Sequence, residues 1–210
     1  NGKGSSTRLI ADSYRAAGYR VGAYSSPHLY RYNERIVLNG EAVSDTQLCK
    51  AFAAIEQGRA GQSLTYFEFG TLAALWLFKQ AGVDVQVLEV GLGGRLDAVN
   101  IIDAEAALIT NIGLDHQDWL GDTRDAIGFE KAGIVRRGRI AVSVDPEPPR
   151  GLIEAIHTHA PQIFLRLDAG DFSVAGRNGP HWQYRDTQAA FWLPDSALAG
   201  EHQRRNAAGT

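Results

Sequence analysis

Apolar and polar positions recur along this chain with two different periods, and the period switches from one segment to the next. Leu9, Ile10 and Tyr14 are spaced for one helical face, which predicts a helix over residues 7–17 ending at Gly18. Residues 19–24 read as the next strand, and Ser25-Ser26-Pro27-His28 as a turn, since a residue before proline is pushed out of helical geometry. A strand over 35–38 followed by Asn39-Gly40 is a hairpin or strand–turn signal. Ser44 stands where the cap of a helix running to about residue 56 is expected, and the loop 58–61 follows. Residues 65–81 hold Phe69, Leu72, Leu75, Trp76 and Phe78 too densely for a surface helix, so packing on both sides is expected.

Two nearly continuous apolar runs, 83–90 and 104–110, have the character of parallel strands covered by helices on both faces. A helix near 123–131, a strand over 139–144 and a helix over 149–159 continue the alternation, which predicts an open α/β sheet. From about residue 164 the pattern changes. Short strands at 172–174, 181–184 and 189–193, broken by turns, predict a small antiparallel appendage, and residues 197–200 lead into a last helix.

The chain has 210 residues, enough for one α/β domain with a sizeable core. A net charge of −3 and the lack of any Lys/Arg run argue against a nucleic-acid partner. No apolar stretch approaches a membrane span, and the single Cys49 rules out an internal disulfide framework and suits a reducing compartment, so a soluble, cytoplasmic protein is expected. Cys49 itself reads as a small hydrophobe in an amphipathic helix. The chain contains no Met, and its first loop lacks a preceding strand, so truncation at both ends is expected.

Candidate chemistry begins at Asn1-Gly2-Lys3-Gly4-Ser5-Ser6, which has the form of the closing half of a phosphate-binding loop. Glycines let backbone N–H groups turn toward phosphate oxygens, and Lys3 adds a mobile positive charge. In open α/β sheets the carboxyl ends of strands form the binding edge, and Ser25, Ser26, Glu89, Asp115 and His116 all follow strands. Glu89, ending an apolar strand, has three readings: a magnesium ligand, a solvated strand end, or a salt bridge to Arg95. His116 is either a core or loop histidine, or a metal ligand or phosphate partner. Lys131 either pairs with a helix dipole or is held near metal ions, where CO2 could convert it to a carbamate. The run Gly91-Leu92-Gly93-Gly94 lacks dinucleotide-fingerprint spacing. His28 belongs most simply to its turn, and His157, His159 and His181 are assigned no role. Trp76, Trp182 and Trp192 read as packing residues, while Trp119 has two readings, substrate contact and packing.

Taken together, Asn1-Gly2-Lys3-Gly4-Ser5, Tyr24-Ser25-Ser26-Pro27-His28-Leu29, Leu64-Thr65-Tyr66-Phe67-Glu68-Phe69 and the stretch 89–100 resemble the folylpolyglutamate synthase/dihydrofolate synthase family of the Mur ligase group. Leu114-Asp115-His116, Glu130-Lys131-Ala132-Gly133-Ile134 and the stretch 200–208 extend the resemblance over nearly the whole chain. It implies a P-loop NTPase-like α/β domain, with a mostly parallel open sheet flanked by helices, as the ATP-binding central domain. A smaller C-terminal glutamate-binding domain is expected to lie outside residues 1–210.

By the same resemblance, Asn1, Gly2, Lys3, Gly4 and Ser5 hold ATP phosphates, and His202 and Asn206 lie at adenine, although Gln203 stands where many relatives have Asn. Two Mg2+ sites are implied, one at Ser26 and Glu89 and one at His116 and a carbamylated Lys131. Lys3, Glu89, His116 and Lys131 form the implied catalytic set. Ser25, Pro27, His28 and Phe67 are candidates for the pteridine pocket. The implied activity joins L-glutamate to dihydropteroate, to folates, or to both, in a monomer. A monofunctional folylpolyglutamate synthase, a P-loop kinase and a non-enzymatic interaction module are the competing readings.

Overall fold

In the computed structural model, residues 2–197 and 200–210 are described. Asn1, and Leu198 and Ala199 of the stretch that leads into the last helix, lie outside them. The elements run α1 Lys3–Ala16, β1 Val21–Tyr24, β2 Ile36–Leu38, β3 Glu41–Ala42, α2 Asp45–Gly58, α3 Tyr66–Ala81 and β4 Val85–Leu88. They continue with β5 Ala106–Ile109, α4 Gln117–Leu120, α5 Arg124–Ala132, β6 Ile140–Ser143, α6 Arg150–His159, β7 Ile163–Arg166, β8 Phe172–Asn178, β9 His181–Asp186, β10 Ala190–Pro194 and α7 Glu201–Ala208. The chain divides into two compact units.

One unit comprises Thr7–Leu92 and Asp97–Ile101. Its sheet has the order β3-β2-β1-β4, with β1 parallel to β4 and antiparallel to β2. Strand β1 is buried throughout, as expected for a central strand. Helices α2 and α3 start at the expected caps: Ser44 and Thr65 each accept a backbone N–H three residues on, and Gln47 and Glu68 return the bond. Gly82, in the left-handed region at φ 59°, ends α3. Tyr24, Ile36, Leu48, Ala73, Ala74, Leu77 and Phe78 form the main core. Gly22 is required there, because a Cβ would run into the Phe78 ring.

Three expectations for helices α1 and α2 need correction. Helix α1 opens at Lys3, four residues before the expected start at residue 7, because the small residues 4–6 tolerate a helical turn whose N–H groups are unpaired. Its buried positions are Ser6, Thr7 and Ala11, while Leu9 and Tyr14 face out. Cys49 is exposed, since α2 buries Leu48 and Ala51 and turns Cys49 and Lys50 between them outward.

The other unit comprises Asn1–Ser6, Gly93–Leu96 and Ile102–Thr210. Strands β5, β6 and β7 pair in parallel in that order. Strand β7 therefore extends the parallel sheet past residue 164, where the appendage was expected to start. The antiparallel β10-β9-β8 sheet begins instead at Phe172. Phe172 packs with Val144 and Leu167 and thereby ties β8 to the parallel strands, and Trp182 is buried as a packing residue. Half of Trp192 is exposed, so it packs less than expected. Together the α/β layers and the antiparallel appendage match the predicted class, with the parallel pairs distributed over two sheets.

Candidate functional site

Strand register does most of the assembly in the first unit. Tyr24 pairs with Leu88, so Ser25 and Glu89 leave adjacent parallel strands side by side at their carboxyl ends. The Glu89 N–H donates to the Tyr24 carbonyl at 2.9 Å, and its carboxylate accepts the Ser26 N–H at 3.2 Å. Glu89 is only 6% exposed, which removes the reading of a solvated strand end. The Ser26–Pro27 peptide is cis, and His28 accepts a hydrogen bond from Arg35 Nε at 2.8 Å. Phe67, in the first turn of α3, sits 5.8 Å from the Tyr24 ring, and Gly91 passes so close that a Cβ would meet the Phe67 ring. Thus Ser25, Ser26, Pro27, His28, Phe67 and Glu89 lie in one unit. Hard oxygen donors suit Mg2+, and the buried Glu89 carboxylate and the Ser26 hydroxyl are of that type.

The phosphate-loop residues belong to the second unit. Gly2, at φ 87°, precedes α1, and its carbonyl accepts the Ser6 N–H at 3.1 Å. Lys3, Gly4 and Ser5 thus form the first turn of the helix, where unpaired N–H groups and the positive end of the dipole favour anions. Among the described residues, the buried Ser6 hydroxyl has no hydrogen-bond partner. A Cβ on Gly2 would overlap the Asn206 side-chain amide, so only glycine lets this backbone lie against α7. Asn206 is buried, whereas His202 is exposed with its ring folded against Gly200. The expected nucleotide residues from both chain ends therefore meet, with Asn1 outside the described residues.

His116 is exposed, with φ 55° and ψ 42°, and its carbonyl accepts N–H groups from Trp119 and Leu120 at 3.0 Å each. A core role for His116 is thereby removed. Trp119 is 78% exposed, which removes its packing reading. Lys131, in the last turn of α5, is half-buried. Burial pushes its ammonium below the usual lysine range, and the Lys3 charge pushes the same way against the pull of Asp115. Two lysines that repel one another mark a place suited to anions. An ammonium cannot bind a cation, so Lys131 fits a metal site only as a carbamate.

A latch that sequence reasoning missed sets the path of the loop before His116. Asp145 is buried just beyond β6 and accepts the Ile112 N–H at 2.8 Å, the Glu147 N–H at 2.9 Å and Arg124 at 2.9 Å. Arg124 Nε also donates to the Ile112 carbonyl at 2.9 Å. The available signal was an Asp immediately after an apolar strand, the same signal that singled out Glu89. The glycine run serves close packing. Gly94 lies against the Glu130 and Lys131 carbonyls, and Arg95 pairs with Glu130 at 2.9 Å. Among the described residues no group of three or more His, Cys, Asp or Glu side chains could hold a metal, and no helix is long and apolar enough to cross a membrane.

The Mur ligase middle domain family matches residues 1–208. Dihydrofolate synthase/folylpolyglutamate synthase of Escherichia coli (strain K12) is 48% identical over 186 residues, covering 89% of this chain and 43% of that protein. Folylpolyglutamate synthase of Lacticaseibacillus casei is 38% identical over 221 residues, covering 99% of this chain and 51% of that protein. Among solved structures, E. coli FolC in complex with DHPP and ADP aligns with a TM-score of 0.91 at 43% identity, covering 100% of this chain and 50% of that one. A bifunctional folylpolyglutamate synthase/dihydrofolate synthase with Mn, AMPPNP and L-glutamate bound aligns with a TM-score of 0.90 at 44% identity, with the same coverage. The chain spans about half the length of these relatives. It belongs to the Mur ligase family, as a middle domain of the dihydrofolate synthase/folylpolyglutamate synthase branch.

Proposed function

We propose that the protein carrying this chain is a cytoplasmic, monomeric, ATP-dependent ligase that joins L-glutamate to dihydropteroate and to tetrahydrofolate (poly)glutamates. The observation that carries the reading is the buried Glu89 carboxylate held beside Ser26 at the ends of two parallel strands. A buried carboxylate beside a hydroxyl at this edge is a hard oxygen donor of the kind that the divalent cation of a nucleotide takes. Relatives with ADP, or with AMPPNP and Mn, support a nucleotide and a divalent metal as ligands.

In this reading Gly2, Lys3, Gly4 and Ser5 hold the phosphates, with Asn1 at the start of the loop, and Asn206 and His202 serve the base. Ser26 and Glu89 hold one Mg2+, and His116 and a carbamylated Lys131 hold the other. Bound magnesium would offset the charge spreading over the transferring phosphoryl oxygens. Ser25, Pro27, His28 and Phe67 line the side that receives the pteridine.

A free carboxylate is a poor acyl donor because its leaving oxygen would be anionic. The acceptor carboxylate oxygen therefore attacks the γ-phosphorus of ATP, the bond to the ADP oxygen breaks, and an acyl phosphate forms. Lys3 neutralises charge on the transferring group during this step. The glutamate amine then attacks the acyl carbon, phosphate leaves, and the amine loses a proton as the amide forms. Neither His116 nor Lys131 is assigned the role of general base. A further C-terminal domain is expected to hold the incoming glutamate.

The test supplies ATP and magnesium with 7,8-dihydropteroate or tetrahydrofolate, with and without L-glutamate, and measures ADP. Release that requires glutamate and yields an amide supports the ligase. Equal ADP release without glutamate identifies a kinase, and product from one acceptor alone identifies a monofunctional enzyme.

A further inference from the structure

Helix α7 carries Asn206 and His202, and its composition gives it little means of holding its own place. Residues 201–206 are all polar, and its only apolar side chains are those of Ala207 and Ala208. A helix of eight residues is not stable alone in water, so its seat comes from tertiary contacts. At its C-terminal end, Ala208 packs with the Val144, Leu167 and Phe172 cluster. Gly209 lies so close to the parallel strands that a Cβ would overlap the Val144 side chain and crowd Leu108.

The other hold is an ion pair to the antiparallel sheet. Arg204 Nε donates to Asp195 Oδ1 at 2.7 Å, and both side chains are shielded, at 17% and 29% exposure. Arg177 of β8 reaches the other carboxylate oxygen at 3.3 Å. Asp195 is itself fixed. It directly follows β10, and its N–H donates to the Pro180 carbonyl in the β8–β9 turn at 2.7 Å. One residue earlier, the Pro194 carbonyl accepts the indole N–H of the buried Trp182 at 3.2 Å. The carboxylate thus stands on a strand end that two successive backbone positions tie to the sheet.

Through Arg204, that sheet grips the helix two residues from Asn206. Asn206 is buried, and its amide lies against Gly2, where a Cβ would overlap Nδ2. A tilt or slide of α7 therefore moves the amide relative to the phosphate loop. An amide that reads a base by hydrogen bonds tolerates little displacement, because such bonds weaken steeply away from ideal geometry.

We infer that Asp195 and Arg204 are positioning residues for the nucleotide base, so that the antiparallel appendage is the support that sets Asn206. This rests on the reading of Asn206 as a contact to that base. Neither Asp195 nor Arg204 touches the nucleotide, and both act through α7. The pair therefore favours a nucleotide over a bare polyphosphate, which needs the loop but not the helix.

The experiment titrates ADP and inorganic tripolyphosphate, each with magnesium, into the natural protein and its variants by calorimetry. Loss of a charged hydrogen bond at a partly shielded pair predicts that Asp195→Asn weakens ADP about fivefold to twentyfold and tripolyphosphate by no more than about twofold. Arg204→Ala should do the same, and Arg204→Lys, which keeps the charge, should lose less. Combining Asp195→Asn with Asn206→Ala should cost ADP little beyond Asn206→Ala alone, since both changes act on one contact. Equal weakening of both ligands, unchanged ADP affinity or full additivity overturns the positioning role. If Asn206→Ala leaves ADP affinity unchanged, the base reading of Asn206 fails and takes the proposal with it.

A second measurement needs no variant. On adding ADP to the natural protein, amide hydrogen exchange should slow across residues 201–208 and also across β9 and β10, because the ion pair couples helix to sheet. Tripolyphosphate should slow neither. Protection of 201–208 without β9 and β10, or equal protection by both ligands, rejects the support even if the variants fail to fold. No protection of 201–208 by ADP rejects the base reading itself.

Discussion

Glu89 and His116 both follow parallel strands, yet their surroundings are opposite. Glu89 is buried, one residue past β4, and the β1–β4 register brings Ser26 to it. His116 is exposed, seven residues past β5, and the Asp145–Arg124 latch sets the course of the intervening loop. A side chain at a strand end inherits the precision of the sheet. One farther along a loop needs a separate anchor, here a carboxylate with three donors.

The first way to sharpen this contrast is to change chemistry while keeping shape. Glu89→Gln preserves volume at the register-held position but removes the charge proposed to meet magnesium. Turnover should fall by about 10²–10³-fold. Initial rates with ATP and each acceptor check this, and a rate within threefold of the natural protein would remove Glu89 from the mechanism.

Breaking the latch is the next largest effect. Asp145→Ala leaves two backbone N–H groups and Arg124 without their acceptor. Because Arg124 is 37% exposed at its side chain, the full cost of a broken buried pair is discounted. A loss of about 2–4 kcal/mol in urea denaturation is expected. Activity should fall further than stability explains if the latch also sets His116, which a titration of activity against magnesium at a temperature where the variant is folded would reveal.

Gly2→Ala probes the contact between the chain ends. It demands a positive φ of an alanine and pushes a methyl into Asn206. ADP affinity measured by calorimetry should drop roughly tenfold. Unchanged affinity would separate this contact from nucleotide binding.

The smallest effect concerns the base of the register. Arg20 donates to Asp84 through its backbone N–H, Nε and one terminal nitrogen, which joins the chain just before β1 to the chain just before β4. Those bonds, led by the Arg20 side chain, hold the Asp84 carboxyl down at about 2. Its folded value lies below its unfolded one, so the stabilisation is complete above about pH 4 and disappears as pH falls through about 2. Asp84→Asn should lower Tm modestly at pH 7, and thermal melts should converge with those of the natural protein toward pH 2. The pair is exposed to solvent, which keeps the effect small.

Much of this was legible in the chain itself. Ser44 and Thr65 announce their helices because a cap acts on N–H groups three residues away, within reach of local spacing. The apolar runs before Glu89 and in 104–110 announce strands for the same reason. Glu89 stood out as an acid after such a run, and its burial removes one of its three readings, the solvated strand end. The start of α1 was read too late because Gly4, Ser5 and Ser6 carry no apolar signal. The appendage was placed too early because β7, with alternating exposure, resembles an edge or antiparallel strand.

Local spacing by itself determined the identity of the elements, their caps and the residue types that suit phosphate and hard cations. Tertiary structure alone decided that Gly2 would lie against Asn206, that Asp145 would close on Arg124, and that Arg35 would lie between the Tyr32 and Tyr66 rings. The reason is physical. A helix or strand depends on neighbours a few residues away, whereas the partner of a buried polar group is chosen by strand register and packing, which join residues that no sequence period connects.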